Sequence, residues 1–343
     1  MWQSIIAPAK INLYFEVIRR METGFHEIES LVSFISLSDK ISARLAPSLS
    51  LQMKSSDENG NLSDFSGADI PSDESNLVLR AGRLLQNRIL ARIKNEFGKV
   101  EIPNLKSPPQ IEETLRKAEK SLPIFPGASI ILEKRIPSEA GLGGGSSDAA
   151  AALILLNDLW KAGFSRDELM EMGAELGSDV PMFLKSSPVI CRGRGEILDE
   201  IPAGSELPPL YLVLVKPKEG CSTPEVYRNC VPSGVRDDRI LNRMICGWRE
   251  NRLSELAAGL KNRLLEPAMT VSPAVKTLME QFRTLPDSCL GFSMTGSGSA
   301  CFGICRDLAH AQSVANFLKS LKTDYSETIF VTETISAPLT VSR

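Results

Sequence analysis

Ile11, Leu13, Phe15 and Val17 alternate with Asn12, Tyr14 and Glu16 near the start of the chain. A period of two predicts a half-buried strand, with Lys10 and Asn12 on the face opposite the aliphatic set. Met21-Glu22-Thr23-Gly24 predicts a turn, and the apolar positions of 28–37 and 41–45 predict two further strands of an N-terminal sheet. Residues 47–75 are rich in Ser, Asp, Asn and Gly and predict irregular structure with one short strand at 49–53. From Asn76 the period changes, because Leu77, Ala81, Leu84, Leu85, Ile89 and Ile93 recur at helical spacing. Residues 94–127 mix charges with Pro103, Pro108, Pro109, Pro123 and Pro126 around a short amphipathic piece at 111–118. That segment reads as an insertion without chemistry.

A strand at 130–132 delivers the chain into Pro137-Ser138-Glu139-Ala140-Gly141-Leu142-Gly143-Gly144-Gly145-Ser146-Ser147, and 151–156 then reads as a helix with a broad apolar face. Gly163 ends that element, and Ser165-Arg166-Asp167-Glu168 has capping-box spacing for the next, which stops at Gly177 before Ser178-Asp179-Val180-Pro181. Cys191-Arg192-Gly193-Arg194-Gly195-Glu196 predicts a basic, flexible loop, and the prolines of 202–209 predict a domain boundary. Beyond a buried strand at 210–215 come helical patterns at 224–230, 238–258 and 273–285, the last with Ser272 as cap and Pro273 at its first position. Strands at 289–294 and 300–305 flank a second glycine turn, Thr295-Gly296-Ser297-Gly298-Ser299, before a helix from Asp307 and a final strand at 328–332. The pattern predicts strands mixed with helices in two domains, 1–205 and 206–343, with the 94–127 insertion in the first.

The glycine stretch is where chemistry enters. Glycines let a backbone approach a ligand closely, so loop amides and the free N–H groups of the following helix can converge on an anion, phosphate above all. A Walker A loop would end in Gly-Lys-Ser/Thr, and no lysine follows Gly145; a dinucleotide fingerprint begun at Gly141 would need glycine where Ser146 stands. The competing structural reading is a turn capped by Ser146 or Ser147, with Asp148 in the first helical turn.

Composition narrows the partners. In 343 residues the hydrophobic share is 43% and the charged share 24%, ordinary for a globular protein and enough for two cores. The net charge of −3 predicts no whole-molecule attraction to nucleic acid or anionic lipid, so an anionic substrate must be held locally. Seven cysteines without a C-x-x-C pair and only two histidines suit reduced thiols in a cytoplasmic protein. No signal peptide or membrane span is expected from the hydropathy.

Three separated stretches, Pro8-Ala9-Lys10-Ile11-Asn12-Leu13, the loop at 137–147 and Met294-Thr295-Gly296-Ser297-Gly298, resemble the three motifs of the GHMP kinases, which include galactokinase, homoserine kinase and mevalonate kinase. The finer pattern adds Gly24-Phe25-His26, Gly177-Ser178-Asp179-Val180-Pro181 and the Gly-x-Gly-Glu of 193–196. It resembles the branch whose acceptor is a cytidine diphosphate-linked methylerythritol on the non-mevalonate isoprenoid route.

The resemblance implies a two-domain α+β fold, with a ribosomal protein S5 domain 2-like N-terminal domain and a ferredoxin-like C-terminal one. It implies ATP as phosphoryl donor over residues 137–147 with Mg2+, for which Ser146, Ser147, Glu139 and Asp148 are open candidates. It implies Asp179 as the base for the acceptor hydroxyl with Lys10 beside it, and Asn12, Phe25, His26 and Tyr227 at the acceptor. Phe25 stands where the branch has a tyrosine that stacks on the base, and Thr23 where it usually has Asp. The expected assembly is a monomer or weak homodimer. The competing functions are a homoserine- or mevalonate-type kinase and a non-catalytic nucleotide-binding regulator; Phe25-His26 and the 193–196 loop argue against the first, and Lys10 with Asp179 against the second.

Overall fold

A computed structural model of the chain describes residues 1–56, 62–65, 70–97, 127–185, 187–201, 207–321, 323, 328–336 and 339–342. The insertion expected at 94–127, with its amphipathic piece, falls almost entirely outside the described residues, as does most of the expected boundary at 202–209.

The chain begins with a long antiparallel hairpin, β1 (Gln3–Arg20) and β2 (His26–Ala46), closed by the predicted turn through Met21 N–H to Phe25 O at 2.7 Å. Where the sequence predicts two strands in 28–45, β2 is continuous. Ser38, Asp39 and Lys40 interrupt the apolar pattern, yet their backbones pair with Pro8, Ala7 and Ile6. The expected single aliphatic face of β1 is also corrected. The pairing register shifts between Asn12 and Tyr14, so Ile11 and Leu13 pack in one core while Phe15 and Val17 pack in another. A bulge of this kind turns the following residues to the opposite face. Through these shifts β1 contributes to three cores in succession, beginning with Ile5 and Ala7, and Lys10 and Asn12 alternate with Ala9, Ile11 and Leu13 of the second.

Next come β3 (Ser50–Ser56), β4 (Leu62–Asp64) and α1 (Leu77–Phe97). β3 outruns the predicted 49–53 strand, and β4 was not expected, because backbone pairing with β5 (Gly127–Lys134) and within the β3–β4 pair does not require apolar side chains. The helices α2 (Gly144–Leu159), α3 (Arg166–Leu176) and α4 (Val180–Lys185) follow. In α2 Ala149, Ala150, Ala151, Ala152, Leu153, Leu155 and Leu156 are wholly inaccessible, which explains a helix without a polar stripe. The capping box of α3 forms as read, with Ser165 accepting from Glu168 N–H and the Glu168 carboxylate accepting from Ser165 N–H.

The rest of the chain supplies β6 (Val189–Gly193), β7 (Ile197–Glu200), β8 (Tyr211–Val215), α5 (Thr223–Arg228), α6 (Asp238–Arg249), α7 (Leu253–Ala258), β9 (Lys261–Asn262), α8 (Leu265–Val271), α9 (Pro273–Arg283), β10 (Gly291–Met294), β11 (Cys301–Cys305), α10 (Leu308–Ser320) and β12 (Ile329–Ile335). The helical pattern at 238–258 divides into α6 and α7 because Asn251 takes positive φ between them. The loop expected at 191–196 is a β6–β7 hairpin instead, since Val189–Arg192 pair with both β2 and β7. Strands run in the order β10-β11-β8-β12-β2-β5-β3-β4. β12 joins the halves: Ile329–Glu333 pair with β8, and Thr334 and Ile335 pair with β2. Among the described residues no helix is long and apolar enough to cross a membrane.

Candidate active site

The glycine loop emerges from β5 and enters α2 with Gly143 as the residue before the helix, at φ 71° and with no side-chain cap. The capped turn considered from sequence does not form: Ser146 and Ser147 lie inside the first turn, and the Ser147 hydroxyl is buried without a partner among the described residues. Two glycines are sterically required. A Cβ on Gly141 would lie 2.2 Å from the Thr295 carbonyl oxygen, and one on Gly143 would lie 2.9 Å from the Phe183 ring; both residues have positive φ. The loop is tied to the second glycine turn, Ala300 N–H donating to Ala140 O at 3.2 Å, and to β1, Lys10 N–H donating to Leu142 O at 3.0 Å.

Two cavities flank this loop. One, of ≈ 310 Å³, is lined by residues 137–145 together with Ile70, Pro71, Asn76, Leu77, Lys134 and Asp148. The other, of ≈ 320 Å³, is lined by Lys10, Asn12, Ser30, Asp179, Cys191, Arg194, Tyr227 and others. Gly141 and Gly143 belong to both walls. Half-buried glycine backbone is therefore what the two cavities share as a wall.

Lys10, expected from sequence to stand beside Asp179, shares the second cavity with it and is 5% exposed. Its ammonium donates to Asn12 Oδ1 at 2.6 Å and makes no ion pair with Asp179 within 4.0 Å. Burial depresses the Lys10 pKa, and the charge of Asp179 acts against that depression. Asn12, expected to touch substrate, is engaged with the protein. Its Oδ1 accepts from Lys10, Gly296 N–H at 2.9 Å and the Thr295 hydroxyl at 3.1 Å, and its amide donates to Ser30 Oγ at 2.8 Å. Cys191 lies in the same wall, and burial pushes its thiol up to about 12, so it is a neutral apolar contact.

Tyr227 lines this cavity, and the His26 ring packs on it with centroids 4.9 Å apart and planes tilted by 32°. Burial lowers the His26 pKa, and Arg20 adds to the effect, which favours the neutral imidazole. Phe25 is 56% exposed, with the Arg194 guanidinium 5.1 Å from its ring centre.

Two features escaped sequence reasoning. Lys134 makes buried ion pairs with Asp39 and, at 2.8 Å, with Asp148, and Asp39 also accepts from the N–H groups of Arg135 and Ile136. This group clamps the strand entering the glycine loop to the helix leaving it. Burial raises the Asp148 carboxyl to about 8; Lys134 opposes the shift and Asp39 reinforces it. Asn262 was also missed: its amide holds the carbonyls of Met294 and Gly296 at 2.7 and 2.8 Å. The acid-base-acid set has no spacing signature, because its members come from β2, β5 and α2.

Of the four metal candidates, Asp148 is engaged by Lys134, Ser147 is buried and Ser146 lines neither cavity, whereas Glu139 lines the first cavity and makes no ion pair among the described residues. No group of three or more His, Cys, Asp or Glu among the described residues is arranged to hold a metal by itself. The oxygen donors present fit a Mg2+ carried by phosphates and water.

Residues 110–187 match the GHMP kinases N terminal domain and residues 247–322 the GHMP kinases C terminal domain. A 4-diphosphocytidyl-2-C-methyl-D-erythritol kinase from Pelotomaculum thermopropionicum is 35% identical over 97% of this chain and 98% of its own length. One from Shouchella clausii is 34% identical over 92% and 90%. A solved structure of a 4-(cytidine 5'-diphospho)-2C-methyl-D-erythritol kinase superposes with a TM-score of 0.68 and 29% identity over 97% of this chain and 100% of that one. A mevalonate kinase of L. major, at 15% identity and a TM-score of 0.63 over 97% and 95%, shares the fold.

Proposed function

The chain belongs to the GHMP kinases, within the branch of the 4-diphosphocytidyl-2-C-methyl-D-erythritol kinases, and from that premise we propose that it moves the γ-phosphoryl group of ATP onto the 2-hydroxyl of 4-diphosphocytidyl-2-C-methyl-D-erythritol. The observation that carries this reading is the pair of cavities parted by Gly141 and Gly143, with Lys10 and Asp179 on the far side from the loop's expected nucleotide. Glycine backbone is the thinnest wall a protein can place between two ligands, and its N–H groups suit a passing phosphoryl group.

The triphosphate lies along residues 137–145 and presents its terminal phosphorus to the second cavity. Asp179 takes the hydroxyl proton as the alkoxide oxygen bonds to phosphorus and the bond to the ADP oxygen breaks. Lys10, oriented by Asn12, stabilises the negative charge that develops on the transferring oxygens. Glu139 would hold a Mg2+ brought by the nucleotide, which supplies charge neutralisation at the phosphates. His26 and Tyr227 form the aromatic end that receives the cytosine, and a neutral His26 can both donate and accept there.

Phosphorus NMR of a reaction containing MgATP and the cytidyl substrate tests this. The expected result is a new phosphomonoester resonance together with ADP. An acceptor panel in which homoserine or mevalonate is turned over as well as the cytidyl compound would remove the assignment.

A further inference from the structure

The proposed acceptor carries a diphosphate between its base and its reacting alcohol, and a charge of that size needs a cation in the cavity that holds it. Among the described residues lining that cavity, those with positive charge are Lys10 and Arg194. Lys10 is buried at the reacting end, on Asn12. Arg194 lies at the turn between β6 and β7, half exposed, with its guanidinium over Phe25.

Both neighbours of Arg194 locate it. The next residue, Gly195, lies so close to the proposed base that a Cβ placed on it would be 4.0 Å from Asp179 Oδ1. Its ring partner, Phe25, precedes His26, which packs on Tyr227 at the aromatic end. The hairpin below is braced by Arg192, which pairs with Glu29 on β2 at 2.9 Å, with Asp238 of α6 at 3.3 Å and with Asp199 of β7. The turn itself is closed by the Glu196 carboxylate, which accepts the Arg194 N–H. The Glu196 carboxylate also forms an ion pair with Arg194 Nε at 3.8 Å, longer than a hydrogen bond, so the N–H groups of the guanidinium fork are not taken up by it.

We propose that Arg194 is a specificity residue that grips the diphosphate of the acceptor, between an aromatic end made by His26 and Tyr227 and a reacting end made by Lys10 and Asp179. This rests on the function proposed above. A guanidinium can offer two parallel N–H groups to phosphate oxygens, and the contact with Phe25 limits the freedom lost when it does so.

The test compares equilibrium binding of cytidine and of CDP to the intact protein by calorimetry, for wild type, Arg194→Ala and Arg194→Lys, without ATP. A charge-assisted bidentate contact predicts that wild type prefers CDP by about 10- to 100-fold. In Arg194→Ala that preference falls to about threefold or less with cytidine binding unchanged, and Arg194→Lys keeps part of it. A preference for CDP that survives in Arg194→Ala overturns the proposal while leaving the kinase reading intact. So does an equal loss of cytidine and CDP binding, which would make Arg194 a support for the base. Wild type that binds neither compound overturns the reading of the acceptor and this proposal together. Arg194 is exposed at a turn, and matched melting curves confirm that the variants fold.

Discussion

Asn12 Oδ1 accepts the backbone N–H of Gly296 at 2.9 Å, across 284 residues of chain. The same oxygen holds the Lys10 ammonium at 2.6 Å. One amide thus orients the cation expected at the transferring phosphoryl group and fixes the glycine turn against which Gly141 packs. Asn12→Ala should leave several donors unpaired in a buried place, at about 1–3 kcal/mol for each group stranded. The expected outcome is a clear fall in Tm together with reduced kcat, measured by calorimetry and by ADP release. Full activity at an unchanged Tm would show that the amide has no part in holding Lys10.

Asp179→Asn keeps the shape of the cavity and removes the proposed base. Turnover is expected to fall by about 10²- to 10⁴-fold with the KM for ATP little changed. Single-turnover phosphoryl transfer is the measurement, and a rate within threefold of wild type would exclude the role given to this carboxylate.

Gly141→Ala places a methyl group 2.2 Å from the Thr295 carbonyl oxygen at a positive φ. Strain of this kind costs of order 1–3 kcal/mol and is relieved only by parting the two glycine turns. Nucleotide affinity should drop by more than tenfold, which titration with an ATP analogue would measure.

The Asp39–Lys134–Asp148 group gives a pH dependence whose sign follows from the proton it retains. Asp148 is raised to about 8 in the folded chain from an ordinary 3.8 in the unfolded one. Between those values the folded state binds more protons, so the contribution to stability is complete below about pH 4 and is lost as pH rises through 8. Without nucleotide, Tm should fall by a few degrees between pH 6 and about pH 9 from this group, and Asp148→Asn should flatten the fall. Lys134→Met, which removes the buried cation shared by the Asp39 and Asp148 carboxyl groups, should be the more damaging change, by about 3–5 kcal/mol. Equal pH profiles for wild type and Asp148→Asn would refute the assignment.

Tyr227→Ala opens the aromatic end, where the His26 ring lies 4.9 Å away. The KM for the cytidyl acceptor should rise by tenfold or more while the KM for ATP stays within twofold, in keeping with about 1–3 kcal/mol for stacking on a base. Steady-state kinetics with each substrate varied decides it.

What the residues announce on their own is local. The 137–147 loop, the capping box of Ser165 and Glu168 and the helical start at Ser272-Pro273 are legible because each depends on φ preferences and hydrogen bonds within a few residues. The family motifs add the identity of Lys10 and Asp179, and the structure brings both into one cavity. Tertiary structure decided what depends on distant pairing. The register shift after Asn12 sends Ile11 and Phe15 to different cores, and β12 ties β8 to β2. Asp39, Lys134 and Asp148, far apart in the chain, become one buried ionic group only when β2, β5 and α2 meet. A periodicity reports which residues avoid water, but not which buried residue will face which other one, since that is set by the strand register and by which charges must be paired once water is gone.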